Sequence, residues 1–261
     1  MRPARMVMVW VSLLAFCGIA QAATSVRVTG EVGHPGVQVL GSSQRLVDAT
    51  TAAQVNPGAY MLGALWSQQA LMLPQRRLQA GLLYELGAVR DQALRGGNTT
   101  LATLSGNLRD GLQAMPVTGR RIVHTLDPAA LAASDADNFP VDDGDALVYP
   151  ARPATVRVVG AVAKPCEVPH VALKAPRDYV AACPTLMADR DLLYAIQPDG
   201  QVFELGIALW NRDAPISLAP GAIVYVPLDK RVIQGAVDAQ FNRDMADFLA
   251  TQPLDNAGVP P

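Results

Sequence analysis

The sequence predicts an α+β protein of two tandem β-grasp domains, the first with a helical hairpin insert, followed by a C-terminal amphipathic helix. Two related segments open strand-rich units at residues 26–36 and 156–166, and two others close them at 144–150 and 221–227. Between the first opening and the first closing, residues 59–113 change to helical periodicity. A duplicated strand-rich unit, interrupted once by helices, accounts for all three observations.

Residues 1–22 have the features of a secretory signal peptide. Two arginines precede an apolar run over residues 7–19, and the small-x-small pattern at residues 20–22 predicts cleavage at its end. The run is shorter than the roughly 20 residues of a transmembrane helix, and the bulky Phe16 before Cys17 disfavours lipoprotein processing. We therefore expect a mature protein secreted to the periplasm, with no transmembrane segment.

Removal of the signal peptide changes the charge and the cysteine count. The chain has 21 basic and 23 acidic residues, and loss of two arginines leaves 19 against 23, a net charge of −4. Such a chain has no basic stripe to neutralise phosphates, so nucleic acid is not expected as a partner. Cys166 and Cys183 remain and predict a disulfide with Cα atoms within about 7 Å; two buried thiols are the alternative.

The first domain is predicted over residues 23–153. Its opening carries the pattern V-x-V-x-G that recurs in the second copy, followed by Gly and Pro at the turn into a second strand. The openings are 130 residues apart and the closings 77, so the first copy holds 53 additional residues. The additional residues correspond to the insert, predicted at about residues 57–115.

Two apolar stripes predict the helices of this insert. Pro74 is suited to the first turn of one helix, and Gly96-Gly97-Asn98 separates it from the next. The stripes are formed by Leu78, Leu82, Leu86 and Val89, and by Leu101, Leu104, Leu108 and Leu112.

The second domain, predicted over residues 154–228, gives the unit without an insert. A hairpin over about 156–173 precedes a helix over about 176–182, and a turn at residues 198–200 connects two short strands before the closing strand. This ββαββ order is the β-grasp arrangement.

Residues 229–261 are predicted to form an amphipathic helix and a tail. Between residues 230 and 249 the only helix breaker is Gly235, and Asp229 is placed to cap the start. One apolar face is expected to dock on the protein itself, on a second copy or on a partner; it comprises Ile233, Val237, Phe241, Met245 and Phe248.

In the order of these features the chain resembles the GfcC-type capsule biosynthesis proteins. The resemblance covers nearly the whole mature chain and rests on the paired openings and closings, the insert, the terminal helix and the segment Pro-Val-Thr-Gly-Arg at residues 116–120. It implies two domains of the soluble-ligand-binding β-grasp type, similar to the periplasmic rings of polysaccharide export channels, and a role in capsule export. The cysteine pair is not part of this resemblance.

The candidate ligand-binding residues are Arg120, Thr118, Trp66 and Tyr60. Arg120 follows Gly119 where the chain leaves the insert, and its guanidinium offers a planar fork for a carboxylate or for sugar hydroxyls. The alternative is an arginine that pairs with an acidic neighbour and pins the insert to the sheet. The two aromatic residues, like Trp210 in the second unit, offer either a stacking surface for a sugar ring or core packing.

No constellation for catalysis or for a cofactor is expected. The three histidines, His34, His124 and His170, lack metal-ligand spacing. Paired carboxylates hydrolyse glycosides, but the acidic cluster Asp142, Asp143 and Asp145 flanks a glycine turn, where carboxylates commonly bind backbone.

Three functions follow from these predictions. The first is a non-catalytic adaptor or assembly module in capsule or exopolysaccharide export, with the export machinery or the polysaccharide as partner. The second is a periplasmic carbohydrate-binding protein that uses Arg120. The third, least supported, is a polysaccharide-modifying enzyme that uses the acidic cluster.

Overall fold

The computed structural model describes residues 23–41 and 44–254. The predicted signal peptide and most of the predicted tail lie outside these residues. The first domain contains a five-stranded sheet in the order β2-β1-β5-β3-β4, in which β1 and β5 are parallel and the other neighbours antiparallel. Its strands are β1 (Thr24–Gly30), β2 (Gly36–Leu40), β3 (Leu65–Ser67), β4 (Arg120–Arg121) and β5 (Ala146–Tyr149).

Helix α1 (Leu46–Ala53) packs on the face of this sheet that carries alternate residues of β1. Val26 and Val28 of that strand are fully buried against α1, and the short helix α4 (Pro128–Ala133) adds Leu131 to the same core. The alternation of apolar and polar residues in the opening segment is therefore the alternation between core and outer face.

The second domain repeats the topology of the first. Its sheet has the order β7-β6-β10-β8-β9, again with one parallel pair, β6 and β10, at the centre. The elements are β6 (Thr155–Gly160), β7 (Cys166–Pro169), α5 (Pro176–Val180), β8 (Leu192–Ile196), β9 (Val202–Gly206) and β10 (Ile223–Val226). The predicted fold class of two tandem β-grasp-like domains is confirmed.

The glycine at the end of each opening motif is required by a close backbone approach. Gly30 and Gly160 have φ angles of +92° and +101°. A Cβ atom on them would lie 2.0 Å from the Tyr149 carbonyl oxygen and 2.2 Å from that of Val226, respectively. The final glycine of the V-x-V-x-G pattern is thus required in each domain by the same kind of close backbone approach.

The insert lies between β3 and β4. It consists of α2 (Gln69–Arg95) and α3 (Thr99–Ala114), and occupies the position at which the second domain has only the tight turn between β8 and β9. Two details differ from the sequence prediction. Strand β3 lies within the range expected for the insert yet belongs to the sheet, and α2 begins at Gln69 rather than at Pro74, which lies inside the helix.

The insert contacts the second domain rather than standing free. Leu86 of α2 and Leu104 of α3 belong to the same buried cluster as Val224 and Tyr225 of β10. The insert therefore shares one hydrophobic core with the second domain, whereas the first sheet packs around a separate core with α1 and α4.

The predicted continuous C-terminal helix is wrong. The chain forms α6 (Lys230–Ile233), a turn region, and α7 (Phe241–Ala250). The break occurs at Gly235, whose φ of +84° lies outside the helical region. The expected cap is present, since the Asp229 side chain accepts a hydrogen bond from the backbone N–H of Arg231 at 2.9 Å.

Candidate functional site

Arg120 lies on β4, at the junction of the two domains and α7. Its side chain is 6% exposed. Nη1 donates to the carbonyl oxygens of Ala250 at 3.1 Å and Gln252 at 3.3 Å, and Nη2 donates to that of Pro198 in the β8–β9 turn. The guanidinium thus connects the edge of the first sheet to the second domain and to the end of α7. Its partners are backbone carbonyls rather than the acidic side chain expected for a pinning role.

Thr118 extends the same network. Its hydroxyl donates to the carbonyl oxygen of Thr251 at 2.8 Å and accepts the backbone N–H of Arg120 at 3.1 Å. The amide of Gln75, on α2, accepts the N–H of Gly119 and donates to the carbonyl oxygen of Arg120. A side chain of the insert therefore fixes the strand that holds Arg120.

The electrostatics of the junction follow from helix geometry. The last carbonyl oxygens of a helix lack intrahelical donors and carry partial negative charge, so a cation at this position stabilises them. Arg120 supplies that cation to α7. Burial of the guanidinium lowers its pKa from the usual value to about 10, partly opposed by the charge of Asp199.

A crevice of about 190 Å³ opens beside this network. Arg120, Arg121, His124 and Asp199 contribute to its lining. The Arg121 guanidinium lies 4.8 Å from the ring centre of Trp66, so its planar face is already occupied by an aromatic ring.

Trp66 and Tyr60 are both buried. The indole N–H of Trp66 donates to Asp145 at 2.8 Å, and the Tyr60 hydroxyl donates to the carbonyl oxygen of Pro220 at 2.9 Å. Both residues therefore pack in the core, their polar atoms are hydrogen-bonded, and no ring face is open to a sugar.

The acidic cluster binds the protein's own donors. Asp145 is buried and accepts the indole N–H of Trp66 and the backbone N–H of Asp142. Asp143 accepts the backbone N–H and the hydroxyl of Ser25. Burial raises the pKa of Asp145, and the hydrogen bonds that it accepts from Asp142 and Trp66 oppose this rise. Asp143 therefore fastens the start of β1 to the turn before β5, and Asp145 connects this turn to Trp66 on β3.

The predicted disulfide is present. Cys166 on β7 and Cys183 after α5 are bonded, with Cα atoms 6.4 Å apart. A disulfide is typical of proteins outside the reducing cytoplasm. Within residues 23–41 and 44–254 no cluster of three or more His, Cys, Asp or Glu side chains is arranged to hold a metal ion.

The apolar stripe at the C-terminal end packs on its own chain. Ile233, Phe241, Met245 and Phe248 are buried in the core that also contains the second sheet and the insert, and Val237, in the turn region, packs against that core from its edge.

Leu209 and Trp210 form an exposed apolar pair, of which the sequence indicates only Trp210, as a residue for sugar stacking or for core packing. Leu209 and Trp210 are 87% and 77% exposed in the loop after β9. The loop is ordered by its own side chains: Asn211 accepts the N–H of Ala208 at 3.0 Å, and Asp213 accepts that of Gly206 at 2.7 Å. The signal in the sequence is the Asn and Asp that follow the tryptophan, which are typical of a structured loop.

These features define a class: a protein of two β-grasp-like domains, joined by a helical insert and by a buried arginine. Residues 20–152 match the family model described as capsule biosynthesis GfcC, N-terminal, and residues 164–253 match that of the GfcC C-terminal domain. The chain belongs to the capsule biosynthesis GfcC family. It is also 27% identical over 242 residues to the uncharacterized protein YjbG of Escherichia coli (strain K12), covering 92% of this chain and 95% of that protein.

The family gives the protein a role related to capsule polysaccharide assembly, and family and disulfide together indicate a protein outside the cytoplasm. In the described part of the chain, no helix combines the length and the apolar character needed to cross a membrane.

Proposed function

We propose that this protein is a periplasmic, non-catalytic adaptor that docks on a protein of the polysaccharide export machinery. The single observation that carries the proposal is the exposed pair Leu209 and Trp210 on an ordered loop. Large apolar side chains held in a fixed position in water are characteristic of interaction sites, and tryptophan is enriched among the residues that contribute most to binding.

The rest of the molecule supports a scaffold role. Arg120, Thr118 and the acidic cluster all bind groups of the chain itself. These bonds, together with the core that the insert shares with the second domain, hold the loop in a constant orientation. A docking surface on a rigid body loses little conformational entropy on binding.

Complementation tests this function. In a strain that lacks the gene, the wild-type protein should restore surface capsule, whereas Leu209→Ala and Trp210→Ala should each reduce it, because truncation of a central contact costs about 2 kcal/mol or more of binding. Leu173→Ala is the matched control, since Leu173 is equally exposed on another loop of the same domain. Undiminished capsule with both variants would refute docking through this loop.

Carbohydrate binding is the second candidate, and one observation favours it. Trp210 leaves a ring accessible for stacking on a sugar, and the crevice beside Arg120 adds polar donors elsewhere on the surface. Stacking needs the ring but not the leucine. Under this alternative Trp210→Phe keeps function, Leu209→Ala has no effect, and calorimetry with purified capsule oligosaccharide detects binding that Trp210→Ala abolishes.

The enzymatic alternative is tested by incubation of the purified protein with the polysaccharide. Turnover that disappears in Asp142→Asn or in Asp143→Asn would overturn the non-catalytic role, because these two are the exposed members of the acidic cluster.

A further inference from the structure

The two domains differ at one edge of their otherwise equivalent sheets. β2 and β7 are the corresponding edge strands. By their pairing with β1 and β6, Val37 and Val39 correspond to Glu167 and Pro169. A charge and a proline are the usual protection of an edge strand against pairing with another chain, and β7 carries both. β2 carries neither, and its two valines are 52% and 70% exposed.

The direction of the free hydrogen-bonding groups on β2 follows from its neighbour. The N–H of Arg27 donates to the carbonyl oxygen of Asp145, and the carbonyl oxygen of Ser25 accepts the N–H of Gly144, both at 2.9 Å on the β5 side. Val37 and Val39 lie opposite these two residues. They therefore form the non-hydrogen-bonded pairs of the ladder, and their own N–H and C=O groups point away from β1, out of the sheet edge.

We propose that β2 pairs antiparallel with β2 of a second copy of this chain. With the two-fold axis at Gln38, Val37 of each copy lies opposite Val39 of the other. Each such pair exchanges two hydrogen bonds, so four outward N–H groups find four outward carbonyl oxygens. The two five-stranded sheets become one sheet of ten strands, and the four valines form a single apolar cluster on its outer face.

A second copy fits this edge because the strand is complementary to itself. Residues 36–41 read Gly-Val-Gln-Val-Leu-Gly and contain no charge, so no like charges oppose one another across the axis. An isologous interface needs this property, because the same strand lies on both sides of the two-fold axis. The interface does not depend on the loop at Leu209 or on the proposed adaptor role.

Two double variants test the register. Val37→Glu/Val39→Glu places like charges opposite each other across the axis, whereas Val37→Glu/Val39→Lys places opposite charges there. Sedimentation velocity of the purified protein up to about 1 mM, where even a weak pair is well populated, should show the mass of the wild-type chain rising toward twice its monomer value. The Glu/Glu variant should stay monomeric, and the Glu/Lys variant should dimerise in a salt-sensitive manner.

A disulfide cross-link provides a second test, which does not depend on the folding of the charged variants. Gln38→Cys brings two cysteines together at the axis, within bridging distance for a non-hydrogen-bonded pair, and should yield a disulfide-linked dimer. Val168→Cys, the equivalent position on the protected strand β7, is the matched control and should not. A wild-type chain that remains monomeric at about 1 mM together with no Gln38→Cys dimer would overturn the proposal, as would equal dimerisation of the Glu/Glu and Glu/Lys variants.

Discussion

Replacement of Arg120 by methionine tests whether this arginine serves to stabilise the junction. The change removes three hydrogen bonds, to the carbonyl oxygens of Ala250, Gln252 and Pro198, while it keeps much of the side-chain volume. A hydrogen bond with a charged donor contributes about 1.5 to 3 kcal/mol, so the three together contribute about 4.5 to 9 kcal/mol. Relief of the buried charge, whose pKa falls to about 10, returns about 3 kcal/mol. We expect a net loss of about 1.5 to 6 kcal/mol.

Urea denaturation at neutral pH measures this loss. The matched control is Arg121→Met, which removes a half-buried neighbour with one hydrogen bond, to Gln68, and ring contacts, and should cost about 1 kcal/mol. Capsule complementation by Arg120→Met should fall in step with stability. A variant as stable as the wild type that nevertheless fails in complementation would refute this stabilising role and support a ligand contact at Arg120.

Three further changes have defined outcomes. Cys183→Ser should lower the free energy of unfolding by about 3 kcal/mol, read from the difference in denaturation midpoint, because the bond closes a short loop of separation 17. Gly119→Ala should be markedly more destabilising in thermal denaturation than Gly97→Ala: both have φ near +70°, but a Cβ atom would lie 2.4 Å from the Gln68 carbonyl oxygen only at the former. Burial and nearby carboxylates raise the pKa of Glu85, so the folded state binds its proton more tightly; Glu85→Gln should therefore raise the melting temperature slightly at neutral pH, and this gain should vanish near pH 4.

The duplication could be predicted from the sequence because its signals are short local patterns. Each V-x-V-x-G opening ends at a backbone crossing that only glycine permits, at Gly30 and Gly160. Strand β3 was not readable, since three residues are too few for a periodic pattern. The helix break at Gly235 was missed because an apolar stripe on both sides outweighed a single glycine.

The environment of the site residues depends on distant parts of the chain. The acceptors of Arg120 at Ala250 and Gln252 lie 130 and 132 residues away, and nothing near the arginine indicates them. Trp66 and Trp210 are alike as residues, yet one is inside the sheet and the other on a loop. Local sequence gives the residue type that a site needs, whereas exposure is decided by tertiary packing.

A photoactivatable cross-linker in place of Trp210 tests the adaptor role most directly. In cells that produce capsule, we expect an adduct with a protein of the polysaccharide export machinery, identified by mass spectrometry. The adduct should be absent when the same cross-linker replaces Tyr84, which is also exposed but lies on α2. An adduct with polysaccharide, or no protein adduct from a variant that still restores capsule, would contradict the adaptor role.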